Sequence, residues 1–310
     1  MHVSILGAGA LGRVYGLRLT AAGDHVSFVV RPARLAEAAP FVIERVNGDR
    51  RRDVLEQPRR VAAVPKEADV VLVAVRFDQI EADPSVAELL RDAPRVPIVA
   101  LTPLLPGPRA ALEHAIGRPV VPGMPSASGY VDERDVVRYW ITSVAWTLLD
   151  DGDAATRMVL TQLAQRLDRA GLPARLATDV AALNLATTAS FFPLVAAVSA
   201  GGGVEGALAD AELLETAIAA AKECDALAPR LGKAAPWAHL LMRFVGPFTL
   251  KPAAALARRA APEAVRFVDV HFGPKLRAQH LAMGAGILAL GAERGESMPA
   301  LGKLMDRVRG

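Results

Sequence analysis

The chain has 310 residues, 52% of them hydrophobic and only 5% aromatic, with a net charge of +3. That length predicts two domains with cores built mostly from Ala, Leu and Val, a mix that suits helices and buried parallel strands. A basic excess this slight excludes a nucleic-acid-binding polycation, and a single cysteine, Cys224, excludes an internal disulfide and makes the cytoplasm the expected address.

His2 to Leu6 has the apolar run of a short strand, and Gly7-Ala8-Gly9-Ala10-Leu11-Gly12 follows at once. Val14 to Leu19 then continues with helical spacing, Ala21 to Asp24 stops the helix, and His25 to Val30 forms a second strand. Strand, glycine turn, helix and strand within about 30 residues is the dinucleotide-binding βαβ pattern. Gly7 permits the tight turn, Gly9 has no Cβ to block a pyrophosphate, and Gly12 lets helix and strand pack closely. The phosphates sit on the free N–H groups and positive dipole end of the helix.

At the end of the second strand an NAD site carries Asp or Glu for the ribose 2′-OH, but this chain has Arg31, with Arg34 three residues on. Two guanidiniums suit a 2′-phosphate, so NADP is the expected cofactor. Leu35 to Ala39 reads as helical, and Phe41 to Val46, Asn47-Gly48 and Val54 to Val61 read as a hairpin insertion. Its arginine runs, Arg50 to Arg52 and Arg59-Arg60, read as solvated surface. Val70 to Val75 is a continuous apolar run typical of a strand buried on both faces. It ends at Arg76, where ligands of open α/β sheets bind. Further strands are expected at Pro97 to Leu101, Pro119 to Met124 and, as a pair, Val136 to Leu148.

A helix is expected from Ala154 to Ala170, and beyond Gly171 the character changes to long Ala- and Leu-rich segments. Helices are expected at Thr178 to Leu194, Ala209 to Leu227, Trp237 to Phe244, Pro262 to Val270, Leu276 to Arg294 and Ala300 to Val308. The expected fold is therefore an α/β Rossmann-type doubly wound sheet over residues 1–171 followed by an all-α domain over 172–310. Val180 to Val204 carries no charge and is long enough to span a bilayer, but its Asn, Thr and Ser residues, Pro193 and the glycines at 201–203 favour a buried helix or a dimer interface. A homodimer is expected from that segment, and no membrane or nucleic-acid partner. No secretory signal pattern opens the chain, and no HxxxH or CxxC spacing marks a metal site.

With these residues in hand, the chain resembles the ketopantoate reductase family. The resemblance rests on Gly7 to Gly12 with Tyr15-Gly16, on Arg31, on Leu72 to Arg76, where the family usually has lysine at the Arg76 position, and on Arg294-Gly295-Glu296-Ser297-Met298-Pro299. It implies NADPH-dependent reduction of a small 2-oxo acid or related carbonyl, with the helical domain closing over the substrate. Pantoate-forming members carry a general-acid lysine four residues before an asparagine. Here Asn184 matches the asparagine and Val180 stands at the lysine position, and Thr102-Pro103-Leu104 replaces a substrate-binding Gln-Asn-Gly. The expected substrate is therefore not ketopantoate itself, and the alternative is a catalytically inactive NADPH-binding sensor or assembly protein.

An alkoxide formed by hydride transfer needs a proton donor or positive charge within hydrogen-bond reach. The densest such group in the second half is His271 to His280, with Lys275 and Arg277 between. His271 and Lys275 are the candidate acids and Asn184 the candidate substrate ligand. Gly7 to Gly12, Arg31, Arg34 and Arg76 are the candidate cofactor residues.

Overall fold

The computed structural model describes residues 1–142, 145–233, 240, 242 and 244–310, so most of the helix expected at Trp237 to Phe244 lies outside the described residues. The chain forms two compact units, Met1–Ala181 and Ala182–Gly310. In the first, β1 (His2–Leu6), α1 (Ala10–Ala21) and β2 (His25–Val29) form the βαβ unit. They are followed by β3 (Phe41–Arg45), β4 (Arg52–Leu55), β5 (Arg60–Val61), β6 (Val70–Val73), α2 (Phe77–Ala82), α3 (Pro84–Arg91), β7 (Ile98–Ala100) and α4 (Pro106–Ile116). Then come β8 (Val121–Met124), β9 (Ala127–Val131), β10 (Val136–Ile141), β11 (Thr147–Asp150), α5 (Ala154–Arg169) and β12 (Ala174–Ala177).

Eight strands make the main sheet in the order β12-β11-β8-β7-β6-β1-β2-β5, parallel throughout except where β11 meets β8. Alternate residues of each central strand feed opposite cores. Val3, Ile5, Val70 and Leu72 join the core beneath α1 and α5, whereas Leu6, Val71 and Val73 join Val86, Leu90 and Leu112 of α3 and α4. Burial on both faces explains why β6 is apolar at every position. Successive connections run outward from β1 in one direction through β2 and in the other through β6, so the order reverses between β1 and β6. The glycine turn after β1 lies at that switch point, where such sheets bind ligands.

A second sheet of four strands, β4-β3-β10-β9, covers the far side of α1. Because α1 is enclosed by two sheets, every residue from Gly12 to Leu19 is buried, including Arg13 and Arg18. Buried guanidiniums must be paired. Arg13 donates to Ala8 O (2.9 Å) and to Asp135 Oδ1 (3.0 Å), and Arg18 donates to Ala170 O (2.6 Å) and lies 3.6 Å from Asp53. Tyr15 shares a 2.6 Å hydrogen bond with Thr147, which is itself 2.9 Å from the Ser126 hydroxyl. Burial pushes the Tyr15 phenol up to about 12. Tyr15→Phe leaves the Ser126–Thr147 pair intact and is expected to cost about 1 kcal/mol, read as a lowered urea midpoint.

Several expected boundaries move. Leu35 to Ala39 is not helical: a short 3₁₀ turn, Pro32–Arg34, stands before it, held by an Arg34–Glu37 ion pair. The single strand expected over Val54 to Val61 is two, and β5 leaves the hairpin to pair with β2, placing Arg60 beside Phe28. The pair expected over Val136 to Leu148 separates into β10 and β11, which belong to different sheets. The first unit runs ten residues past Gly171, because β12 pairs in parallel with β11 (Thr147 beside Ala174).

The second unit contains only helices among its described residues: most of α6 (Val180–Ala200), then α7 (Val204–Ala209), α8 (Ala211–Leu231), α9 (Pro247–Ala260), α10 (Pro262–His271), α11 (Arg277–Glu293) and α12 (Pro299–Arg309). The helix expected to begin at Ala209 breaks at Asp210, whose carboxylate caps α8 by accepting from Leu213 N (2.9 Å). The Glu223 carboxylate likewise accepts from Ala300 N and Leu301 N (3.0 and 2.9 Å) and caps α12. Cys224 beside it is fully buried and its thiol is pushed well up, so it is a packing residue. α6 is long and apolar enough to cross a membrane, yet 56% of its most apolar stretch is buried inside the protein.

Candidate functional site

The turn after β1 is shaped by absent side chains. Gly7 has φ +102°, and a Cβ there would stand 2.9 Å from Val75 Cγ2. A Cβ at Gly12 would stand 1.9 Å from Gly7 O, and one at Gly16 2.4 Å from Phe28 Cζ, so α1 lies flush against β1 and β2. Gly9 differs: it is exposed, and a Cβ would meet nothing within 4 Å. It is the N-cap of α1, no side chain caps that end, and no acidic residue occupies the first turn. An uncapped, acid-free helix N-terminus beneath an exposed glycine fits the pyrophosphate of a dinucleotide.

The arginines expected from the sequence at the adenosine end differ in availability. Arg31 follows β2 and is exposed, and its side chain makes no hydrogen bond or ion pair among the described residues, though its field helps hold the Asp83 carboxyl down after the stronger effect of the Ser85 hydrogen bonds. Arg34 is already engaged, forking onto Glu37 at 2.9 to 3.1 Å. Arg76 caps α2 and forks onto Asp78 with two 3.0 Å bonds. Of the three arginines singled out from the sequence, only Arg31 is therefore uncommitted.

Two further arginines, not singled out as ligands, stand in the same region. The guanidiniums of Arg13 and Arg60 each lie 4.4 Å from the Phe41 ring centroid. Arg60 also donates to Ala39 O (2.6 Å), and burial, with Arg34 and Arg13 adding repulsion against the pull of Glu37, holds its guanidinium below the ordinary value. The Arg59-Arg60 run expected as plain solvated surface thus places one arginine on an aromatic ring. The signal lay in the period-two strand pattern around Val61, but its partner strand did not.

In the helical unit, Asn184 sits on α6, buried, accepting a hydrogen bond from Thr188 (3.2 Å). His271 ends α10, stacked on Phe267 (5.3 Å, 22°) and edge-on to Phe272 (4.4 Å). Lys275 is exposed on the 3₁₀ turn Pro274–Leu276. His280 on α11, which the sequence offered only as the far end of the basic cluster and not as a candidate acid, is 4% exposed, packs edge-on to Phe192 of α6 (6.3 Å), and its Nδ1 is buried with no hydrogen-bond partner. Burial first, then the neighbouring His271, pushes it down to about 4. Position 280 falls in the helical apolar spacing of α11 with Met283 and Ile287, a pattern that would have marked it as inward-facing. Among the described residues no group of His, Cys, Asp and Glu could hold a metal ion.

Residues 3–99 match the family model for ketopantoate reductase PanE/ApbA. No curated protein matches the chain. Among solved structures the chain is similar to a PanE/ApbA family ketopantoate reductase from Ralstonia eutropha JMP134, at 20% identity and TM-score 0.71, over 100% of this chain and 97% of that one. It is also similar to D-mandelate dehydrogenase in a ternary structure with NADH and anilino(oxo)acetate, at 14% identity and TM-score 0.72, over 100% and 97%. A dimeric ketopantoate reductase from Staphylococcus aureus is similar at 14% identity and TM-score 0.64, over 100% and 98%. The resemblance drawn from the glycine motif is thus borne out over residues 3–99 by the family model, and over the whole chain as a fold.

Proposed function

We propose that the chain is an NADPH-dependent oxidoreductase of the ketopantoate reductase kind, reducing a small 2-oxo acid or related carbonyl other than ketopantoate to the hydroxy compound. The observation that carries the reading is the exposed Gly9 at an uncapped helix N-terminus with the uncommitted Arg31 at the end of the neighbouring strand. The first receives a pyrophosphate and the second a 2′-phosphate. Arg34 joins Arg31 only by exchanging Glu37 for the phosphate, and Arg76, with Asp78 beside it, orients rather than neutralises.

The bound nicotinamide supplies the hydride. The chain then has to hold the carbonyl and deliver a proton to its oxygen, and the proposed residues are Asn184 for the first task and His271 or Lys275 for the second. Val180, 0% exposed and apolar, cannot do what a lysine does at the corresponding place in the family. Two subunits are proposed for the working enzyme, as in the Staphylococcus aureus neighbour.

Titration of the purified protein by calorimetry is expected to show NADPH binding roughly tenfold or more tighter than NADH, with Arg31→Ala removing the preference while leaving NADH affinity in place. Because D-mandelate dehydrogenase is seen with NADH, an equal or reversed preference is the outcome that replaces NADP by NAD. NADPH oxidation with a panel of 2-oxo acids then separates enzyme from sensor: turnover lost in His271→Ala or Lys275→Ala supports the former, and binding without turnover the latter.

A further inference from the structure

From Ala226 through Pro262 the chain has no Asp or Glu, in a stretch that at its overall frequency would hold about four. The same stretch carries Arg230, Lys233, Arg243, Lys251, Arg258 and Arg259. Helix α9 lies within it and packs on its own unit through a narrow stripe, Leu250, Ala254 and Ala257, each only half-buried. Its outer surface is the unusual one. Phe248 is 91% exposed and Leu256 67%, with Phe244 just before the helix at 63%. On a helical wheel Phe248, Pro252 and Leu256 form one ridge, with Lys251 and Arg258 along one flank and Arg259 within it. Among the described residues Lys251, Arg258 and Arg259 have no ion-pair partner.

We infer that α9 is an interfacial helix that docks this protein on an anionic lipid surface. Large apolar side chains standing out beside unpaired cations, on a segment without acids, match what binds at the headgroup boundary: rings and aliphatic tips enter the acyl edge while the cations meet phosphate. Charge decides against a second copy of the chain. A twofold contact of α9 on α9 would set the same unpaired arginines and lysine of two subunits against each other, and α9 itself carries no carboxylate to separate them. The sequence expectation of no membrane partner was argued from spanning segments, and a peripheral contact requires none. The inference is independent of the nucleotide reading.

The test is co-sedimentation of the full-length protein with vesicles of phosphatidylglycerol mixed with phosphatidylcholine, beside vesicles of phosphatidylcholine alone. Binding is expected only to the anionic vesicles and is expected to weaken with added salt. Each basic residue near such a surface contributes roughly fivefold to partitioning, so Lys251→Glu with Arg258→Glu and Arg259→Glu predicts a loss on the order of a hundredfold. Phe248→Ser with Leu256→Ser, at exposed positions where folding is unaffected, predicts a loss of about tenfold or more. No sedimentation with anionic vesicles, or binding that neither variant weakens, overturns the inference. So does a dimer that the Phe248→Ser, Leu256→Ser variant breaks in sedimentation velocity, since the ridge would then be an interface between copies.

Discussion

Gly9→Ala is expected to leave the melting temperature unchanged while lowering NADPH affinity roughly tenfold or more, and Gly12→Ala to lower both. The two glycines belong to one motif and have separable physical roles. At Gly9 the backbone is extended (φ −79°), a conformation alanine adopts freely, and an added methyl meets no protein atom within 4 Å. Nothing in the folded chain opposes the change, so any effect must come from a ligand that approaches there. At Gly12 the methyl would stand 1.9 Å from Gly7 O and 3.2 Å from Ile5 Cγ2. A backbone oxygen cannot step aside as a flexible side chain does, so α1 must lift from β1. About 3 kcal/mol of stability is expected to go with it, and the turn proposed to hold the pyrophosphate is distorted at the same time. Thermal unfolding and nucleotide titration of both variants check the pair. A Gly9→Ala protein that binds NADPH like the parent would mean that no phosphate passes over that residue.

The second large effect is expected on acidification. His280 ionises near pH 4 in the folded protein, against about 6.5 for a free imidazole. The unfolded chain therefore takes up a proton first as the pH falls, and stability that is complete above pH 6.5 is lost progressively toward pH 4. A difference of this size corresponds to roughly 3 kcal/mol across that window. Urea unfolding followed at pH 7.5, 5.5 and 4.5 reads it, and His280→Leu isolates it, because leucine removes the titration together with the unpartnered Nδ1. The variant is expected to lose stability more gently than the parent between pH 6.5 and 4. Parallel curves would place the imidazole in water. A buried, unprotonated histidine is a poor proton donor at neutral pH, which keeps His280 out of the proposed chemistry.

Much of the first unit was legible in the linear chain. The apolar run from Val70 to Val75 gave a strand covered on both faces, formed over Val70 to Val73, and the glycines at 7, 9 and 12 gave the turn, because local backbone demands are written in residue type at fixed spacing. The candidate ligands were less legible. Arg31, Arg34 and Arg76 look alike in sequence, yet Glu37 and Asp78 occupy two of them. Those carboxylates lie only two or three residues away, but whether they reach depends on the turn between. Reading Leu35 to Ala39 as helix hid the first of them.

Taken alone, the order of residues determined the βαβ start and a change from mixed α/β to helical character, placed at Gly171 where the first unit ends at Ala181, and it raised the expectation of a dinucleotide at the glycine-rich helix N-terminus. The tertiary structure alone decided that β5 and β12 join the main sheet, that a second sheet encloses α1 and buries Arg13 and Arg18, that Arg60 lies against Phe41, and that His280 is sealed from water. The physical reason is range. Backbone conformation and amphipathic period are set within a few residues, whereas strand neighbours, ion-pair partners and desolvation depend on groups far along the chain that meet only once it has folded.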